Sequence, residues 1–432
     1  MHIDELYRLY RQYPRVCTDT RNILPDSIFF ALKGERFNAN TFAEEALSLG
    51  ARYVVIDEAQ YQKDERYILV DDVLQALQQL ANHHRKQLHI PFIGVTGTNG
   101  KTTTKELLYA VLSQKFRVLA TKGNLNNHIG VPLTLLSISE DVEAAIIEMG
   151  ANHPEEIAFL CGLAEPTHGL ITNVGKAHLE GFGSFEGVKK TKGELYDYLK
   201  SHDGVLFLQA DNAHLVEMEQ ARGVNKVVRY GFSEGNDIIG RLEIANPFLT
   251  VSWHKNGGTD YKITTHLTGS YNTENILAAV AVGDYFGLTA TEINAGVEGY
   301  VPTNNRSQIT KTADNTVIAD YYNANASSMA AALDNIAVIA GNKKVIILGD
   351  MFEMGEESTE EHRKVIEKAL SLGVDRVIFV GKAFYAQRND AAQFYETTEE
   401  AKTALIEKPL KGCMVLLKAS RGMAFEKLME VL

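Results

Sequence analysis

The run Gly94-Val95-Thr96-Gly97-Thr98-Asn99-Gly100-Lys101-Thr102-Thr103-Thr104 sets glycines, a lysine and threonines where an apolar strand ends and a helix begins. A glycine-rich turn at a helix start aims several backbone N–H groups at one point, and the positive end of the helix adds to them, so phosphate oxygens are held there. Lys101 is spaced to reach the β and γ phosphates of a nucleotide, and the Thr102 hydroxyl to ligate Mg²⁺. The spacing departs from G-x-x-x-x-G-K-[ST] at one point: the first glycine falls at Gly94, one residue early, and Val95 holds the consensus position. The loop is therefore a variant, with Gly97, Thr98, Asn99, Gly100, Lys101, Thr102 and Thr103 as its candidate nucleotide-binding residues.

Two further residues, Glu148 and His178, stand where strands end. Glu148 closes the apolar run Ala144-Ala145-Ile146-Ile147 and precedes Met149-Gly150. A carboxylate at the carboxyl end of a parallel strand faces the edge where ligands of open α/β sheets bind, so Glu148 suits a metal-holding role; a helix cap or loop acid is the plain alternative. His178 follows the next strand in Thr172-Asn173-Val174-Gly175-Lys176-Ala177-His178-Leu179-Glu180. Its imidazole can join Glu148 and Thr102 at one phosphate and metal centre, or serve only in packing. Lys192 sits in Lys189-Lys190-Thr191-Lys192-Gly193-Glu194-Leu195, and such a lysine run reads as the solvated face of a helix. Nothing in the spacing lifts Lys192 above its neighbours.

These residues need a sheet to position them. The pattern Phe92 to Thr96, Val118 to Thr121, Ala144 to Met149, Gly169 to Val174 and Val205 to Gln209, with helical sequence between, predicts parallel β-α-β units. After Tyr230, strand-like pieces around Ile238 to Glu243, Leu249 to Trp253 and Tyr261 to Leu267, then a helix from Asn272 to Phe286, extend this middle region. Before it lie short strands at Ile28 to Leu32, Tyr53 to Ile56 and Tyr67 to Val70 and a helix from Val73 to Leu88, broken by His89-Ile90-Pro91. After Val301-Pro302-Thr303-Asn304-Asn305 a further α/β series begins. The expectation is an α/β protein of three domains, 1–88, 89–302 and 303–432, the central one built on a mostly parallel P-loop ATPase-type sheet and the last Rossmann-like.

Composition narrows the function classes. The chain has 432 residues, 45% of them apolar, enough for a core in each of several domains. Its net charge of −12 is spread without a basic run, which argues against nucleic acid or an anionic membrane as partner. The three cysteines, Cys17, Cys161 and Cys413, show no C-x-x-C spacing, which fits a reducing cytoplasm rather than a disulfide framework. Asp4, Glu5 and Arg8 interrupt the first ten residues, so no signal-peptide core is expected there, and no run approaches the roughly 18 apolar residues of a membrane span. A soluble cytoplasmic protein is the expectation.

Taken together and in order, Gly97-Thr98-Asn99-Gly100-Lys101-Thr102-Thr103, Glu148-Met149-Gly150, Thr172-Asn173 with Ala177-His178-Leu179-Glu180, and Lys192-Gly193-Glu194 resemble the Mur ligases of peptidoglycan synthesis. Thr18-Asp19-Thr20-Arg21 and Pro25 to Glu35 resemble that family's uridine-nucleotide domain. Ala319-Asp320-Tyr321-Tyr322-Asn323-Ala324-Asn325 and Leu348-Gly349-Asp350-Met351-x-Glu353-Met354-Gly355 resemble stretches of the branch that adds D-alanyl-D-alanine.

The resemblance implies an ADP-forming amide ligase that adds D-alanyl-D-alanine to UDP-N-acetylmuramoyl tripeptide through an acyl phosphate. It implies ATP on residues 97–103, with Asn272 and Asn275 at the adenine and Arg306 reaching the phosphates from the third domain. Two Mg²⁺ ions are implied, one on Thr102 and Glu148, the other near His178 and a carbamylated Lys192; Lys101, Glu148, His178 and Lys192 are the implied catalytic set. Thr20, Arg21, Asn124, Asn126, Asn127, Asp320, Asn323 and Asn325 are the implied substrate contacts, and a monomer is implied. The chain departs from the family pattern in having Tyr271 for histidine, Asn305 for glycine, Asn38-Ala39-Asn40 for Asp-Gly-His and Ala326 for proline.

Overall fold

A computed structural model describes residues 2–341 and 343–432. The apolar run Phe92–Thr96 is buried at every position and forms the strand from which the phosphate loop springs. It lies inside a nine-stranded sheet. From one edge the order is Tyr261–Thr264, Leu249–Lys255, Ile238–Ala245, Lys226–Gly231, Val205–Gln209, His168–Ile171, Phe92–Thr96, Ala144–Glu148 and Val118–Ala120. Neighbours are parallel from Val118–Ala120 through Ile238–Ala245 and antiparallel over the last two pairs. The strand-like pieces after Tyr230 thus extend the central sheet rather than forming one of their own.

One correction to the expected strands bears on function. The strand expected from Gly169 to Val174 runs His168–Ile171: the Thr172 N–H still donates to the Thr96 carbonyl at 2.9 Å, but from here the chain turns to the phosphate loop, the Thr172 hydroxyl and the Asn173 amide donating to the Asn99 carbonyl at 2.6 and 3.0 Å. The helix Asn272–Tyr285 is buried on nearly all sides, as an Ala- and Val-rich helix must be when it lies between a sheet and another helix. Its Ile276, Leu277 and Val280 join Leu107, Leu108 and Val111 of the helix Lys101–Leu112 and Ile93 and Val95 of the sheet in one apolar cluster.

Two smaller sheets flank this one. Val16–Cys17, Ile28–Phe30, Tyr53–Ile56 and Tyr67–Leu69 form an all-parallel sheet. The other has the order Gln308–Lys311, Thr316–Asp320, Met414–Lys418, Lys344–Gly349, Arg376–Val380 and Gln393–Tyr395, parallel except for its first pair. The molecule is α/β, with these three sheets in chain order and a two-stranded antiparallel ribbon, Lys33–Gly34 with Phe37–Asn38, in the first region. Cys17, Cys161 and Cys413 are free and buried, and among the described residues no helix is long and apolar enough to cross a membrane.

The flanking sheets are joined to the centre differently. The helix Val73–Gln87 carries Arg85, whose guanidinium donates to the carbonyls of Ala164 (2.7 Å), Leu88 (3.1 Å) and Glu165 (2.6 Å) and lies 3.7 Å over the Phe92 ring. Those carbonyls include the end of the helix Glu156–Ala164, where a cation meets the negative end of the helix dipole. The Tyr10 hydroxyl adds a buried bond to the Leu136 carbonyl at 2.8 Å. The last sheet meets the centre through polar contacts, among them Lys176 with Glu357 at 2.7 Å, Asn325 with Asn99 at 2.8 Å and the buried Asn335 amide with the Thr268 hydroxyl at 3.1 Å, and through apolar ones, Met329 and Met354 sharing one buried cluster with Val174 and Leu179.

Candidate functional site

The turn after Thr96 is shaped by Gly97 at φ +144° and Gly100 at φ +79°, the residue that opens the helix Lys101–Leu112. At Gly97 a Cβ would fall 2.0 Å from the Thr172 hydroxyl oxygen, so only glycine fits. The loop is framed from the neighbouring strand end: Thr98 N–H donates to the Asn173 carbonyl at 2.9 Å and Asn99 N–H to the Asn173 side chain at 3.0 Å. The Lys101 ammonium donates to the Gly97 and Thr98 carbonyls at 2.8 and 3.0 Å. Burial pulls its pKa down to about 8, against the upward pull of Glu148, while the Arg306 charge pushes it further down.

Glu148, 1% exposed, ends its strand beside the loop. Its Oε1 accepts from the Thr102 hydroxyl at 3.2 Å and the Asn126 amide at 2.9 Å, whereas its Oε2 is buried without a hydrogen-bond partner. A buried carboxylate oxygen with no donor is costly unless a cation meets it. Glu148 and Thr102 therefore fit one Mg²⁺, which takes few protein ligands and completes its shell with phosphate oxygens and water. Among the described residues no group of three or more His, Cys, Asp or Glu gathers to hold a metal unaided.

A cavity of about 570 Å³ opens at this edge, lined by the loop from Thr98 to Lys101, Asn124, Asn126 and Asn127, Glu148, His178, Asn272 and Asn275, and from the third sheet by Arg306, Asp320, Asn323, Asn325 and Lys418. Thr102 instead faces a smaller cavity of about 200 Å³, shared with Glu106, Asn304, Arg306 and Tyr322. The His178 imidazole is held off its charged form by burial first, then by Lys101 and Lys192, and Glu353 opposes this. Arg306 stacks over the Tyr322 ring at 3.9 Å with its Nε buried and unpaired, so a guanidinium donor is free for an anion.

Lys192 corrects the expectation of a solvated lysine face. It is 2% exposed, its ammonium 5.4 Å from the Phe182 ring and bonded to the Ala151 carbonyl at 3.4 Å, and it lines neither cavity. Burial, with Lys101 adding to it, holds its pKa well below the ordinary lysine value. Among the asparagines, Asn275 acts on the loop from beneath: its Oδ1 accepts from Thr104 at 3.0 Å, and its amide donates to Asn272 at 2.8 Å. Asn127 accepts from the N–H groups of Ile129 and Gly130, which is turn chemistry in a cavity wall. Asn325 caps the helix Ala326–Val338 and donates to Asn99. Thr20 and Arg21 do not line the cavity; Arg21 is exposed and pairs with Asp19 at 2.6 Å.

Three family models match in order: the Mur ligase family catalytic domain over residues 13–85, the Mur ligase middle domain over 95–283, and the Mur ligase glutamate ligase domain over 305–421. The UDP-N-acetylmuramoyl-tripeptide--D-alanyl-D-alanine ligase of Bacillus subtilis (strain 168) is 36% identical over 96% of this chain and 92% of its own. The chain belongs to the Mur ligase family. Among solved Mur ligases, a MurF crystal structure from Acinetobacter baumannii superimposes with a TM-score of 0.87 at 31% identity, covering 96% of this chain and 92% of that one. The Thermotoga maritima MurF in complex with ADP does so with a TM-score of 0.85 at 26% identity, over 96% of both.

Within this Mur ligase, Lys418, which belongs to none of the motifs above, also faces the cavity. Lys418, 2% exposed, pairs with Asp320 at 2.7 Å, and Asp320 also accepts the Ser307 N–H at 3.2 Å. Lys418 ends the apolar strand Met414–Lys418 just as Glu148 ends its own, so the argument that singled out Glu148 applies to it. Glu353, which bonds His178, lines neither cavity, and in the sequence only its place in the family-like stretch Leu348 to Gly355 marks it.

Proposed function

We propose that this Mur ligase joins the amine of D-alanyl-D-alanine to the terminal carboxyl of UDP-N-acetylmuramoyl tripeptide, with ATP split to ADP and phosphate. The observation that carries the reading is one cavity faced by both the phosphate loop and the third sheet, in a chain so similar along its length to the Bacillus subtilis ligase. The proposed units are 1–88 for the uridine nucleotide, with Thr20 and Arg21, 89–302 for ATP, and 303–432 for the dipeptide, acting in the cytoplasm as a monomer.

A peptide carboxylate is a poor electrophile and is repelled by phosphate. In the proposed order its oxygen attacks the γ phosphorus, the bond to ADP breaks, and an acyl phosphate results. The dipeptide amine then attacks the acyl carbon, the bond from that carbon to the phosphate oxygen breaks, and phosphate leaves as the nitrogen gives up a proton. The loop N–H groups and Lys101 hold the β and γ phosphates, and Lys101 regains its full charge as the phosphates replace the two loop carbonyls. Arg306 brings its unpaired guanidinium donor to the same phosphates from the third domain. Asn325 and Ser327, both bonded to Asn99, hold that domain over the loop and keep water from the acyl phosphate. Asn124, Asn126 and Asn127 face the muramoyl peptide; Asp320 and Asn323 face the dipeptide side.

Thr102 and Glu148 are the proposed ligands of one Mg²⁺, His178 and a carbamylated Lys192 of a second; bound there, the ions screen the negative charge that gathers on phosphate and carboxylate. Lys192 suits the modification because a neutral amine attacks CO₂, forming the N–C bond and releasing a proton, and burial lowers its pKa toward that neutral form. The direct test supplies ATP, Mg²⁺, D-alanyl-D-alanine and UDP-N-acetylmuramoyl tripeptide carrying diaminopimelate or lysine. ADP and a new amide mass are expected; AMP, or no amide with either tripeptide, overturns the proposal. Lys192→Ala is expected to lose activity and recover some with bicarbonate, and full activity in that variant overturns the carbamate.

A further inference from the structure

One contact between the central and third sheets reaches into the site itself. Nδ1 of His178 is hydrogen-bonded to Oε2 of Glu353. Both residues have positive φ, 51° and 60°, which non-glycine residues keep only where their surroundings enforce it. On the Glu353 side the enforcement is visible. Asp350 accepts the N–H groups of Ala383 and Phe384 at 2.9 and 3.0 Å, and the Met351 and Phe352 N–H groups donate to His362 and Ser420, each at 3.0 Å. On the His178 side, Lys176 pairs with Glu357 at 2.7 Å and Glu361 at 3.4 Å. Glu353 is thus presented by a pinned loop.

The Glu353 side chain is 54% exposed, so as an ion pair it adds little to the closed arrangement. Its effect is on orientation. A carboxylate accepts, so the proton stands on Nδ1 of His178 and the Nε2 lone pair is left free. Among the described residues no other hydrogen bond is made to the His178 ring. We propose that Glu353 is a positioning residue: by docking, the third domain sets the His178 tautomer able to serve as a metal ligand. This rests on the reading of His178 as a ligand of the second Mg²⁺. A histidine ligand whose other nitrogen donates to a carboxylate is the usual way proteins fix such a ring. Here the fixing carboxylate comes from another domain, so the ligand is completed only in the closed enzyme.

The test uses ring-nitrogen NMR of histidine-labelled full-length protein, with His178→Ala to assign the signal, and the Mg²⁺ dependence of ADP formation. Wild-type His178 is expected as the Nδ1–H tautomer. Glu353→Ala is expected to move it toward Nε2–H and to raise the half-saturating Mg²⁺ by about ten- to a hundredfold. Lys176→Ala, which breaks the neighbouring cross-domain pair, is expected to leave the tautomer in place. Retention of Nδ1–H in Glu353→Ala, or the same tautomer loss in Lys176→Ala, overturns the proposal. An unchanged Mg²⁺ requirement of residual activity in His178→Ala overturns instead the ligand reading beneath it.

Discussion

Lys101 offers the sharpest test, because its burial sets both a magnitude and a sign. Its pKa falls from the ordinary 10.5 to about 8, chiefly by desolvation. Nucleotide phosphates restore the charge, so binding must draw in a proton wherever the free lysine has lost it. With a pKa of about 8, that is about a tenth of a proton at pH 7 and about three-quarters at pH 8.5. ADP affinity is accordingly expected to fall by up to about tenfold per pH unit above 8. Stability of the ligand-free protein moves the other way. Between pH 8 and 10.5 the unfolded chain holds more of this proton than the folded one, so this group's contribution to stability rises with pH across that window. Isothermal titration of ADP in buffers of different ionisation enthalpy measures the uptake directly. Lys101→Arg stays charged throughout and is expected to abolish it. Equal heats in all buffers at pH 8.5, or the same uptake in the arginine variant, refute the reasoning.

Three other outcomes follow from geometry. Glu148→Gln keeps an acceptor for Thr102 and Asn126 but removes the charge beside the phosphate loop, so ligase turnover should fall about a hundredfold or more with an almost unchanged melting midpoint; steady-state assays and calorimetry check the pair. Arg85→Leu strips three carbonyls of their donor, a loss of about 3 kcal/mol, read as a midpoint lower by about 3 to 5 °C; a drop below about 1 °C contradicts it. Gly97→Ala forces a methyl within 2.0 Å of the Thr172 oxygen, and ADP affinity should weaken at least about tenfold by titration; unchanged affinity would mean the loop yields freely.

The parts of the molecule legible in the sequence are those set by local chemistry. Tyr53–Ile56, Phe92–Thr96 and Val205–Gln209 have the bounds expected from their short apolar runs, because buried parallel strands need no polar alternation. Gln308–Lys311, an antiparallel edge strand with no fully buried residue, left no such trace. The helix Ile3–Gln12 did leave one, Ile3, Leu6, Tyr7 and Tyr10 recurring at helical spacing with Asp4, Glu5, Arg8 and Arg11 turned away, a period that unbroken apolar runs do not reveal. In the site, the phosphate loop and Glu148 could be seen from strand ends alone. The burial of Lys192 could not, because it depends on Phe182 and Ala151 closing over one turn of a lysine-rich helix. The bonds of Asn325 to Asn99 and of Glu353 to His178 join residues more than a hundred positions apart, and no local pattern encodes such pairings.

The seating of Arg85 against Phe92 and the helix Glu156–Ala164 has a metric consequence. It makes the first sheet and the phosphate loop parts of one stiff frame. Under the proposed function, a substrate gripped at its nucleotide end is laid along a fixed gauge, and only a peptide of the right length brings its free carboxyl to the loop. Shortening or lengthening the peptide by one residue would then misplace the reacting carbon by several ångströms. Selection by length would come from the stiffness of that joint, with no pocket needed to inspect each residue.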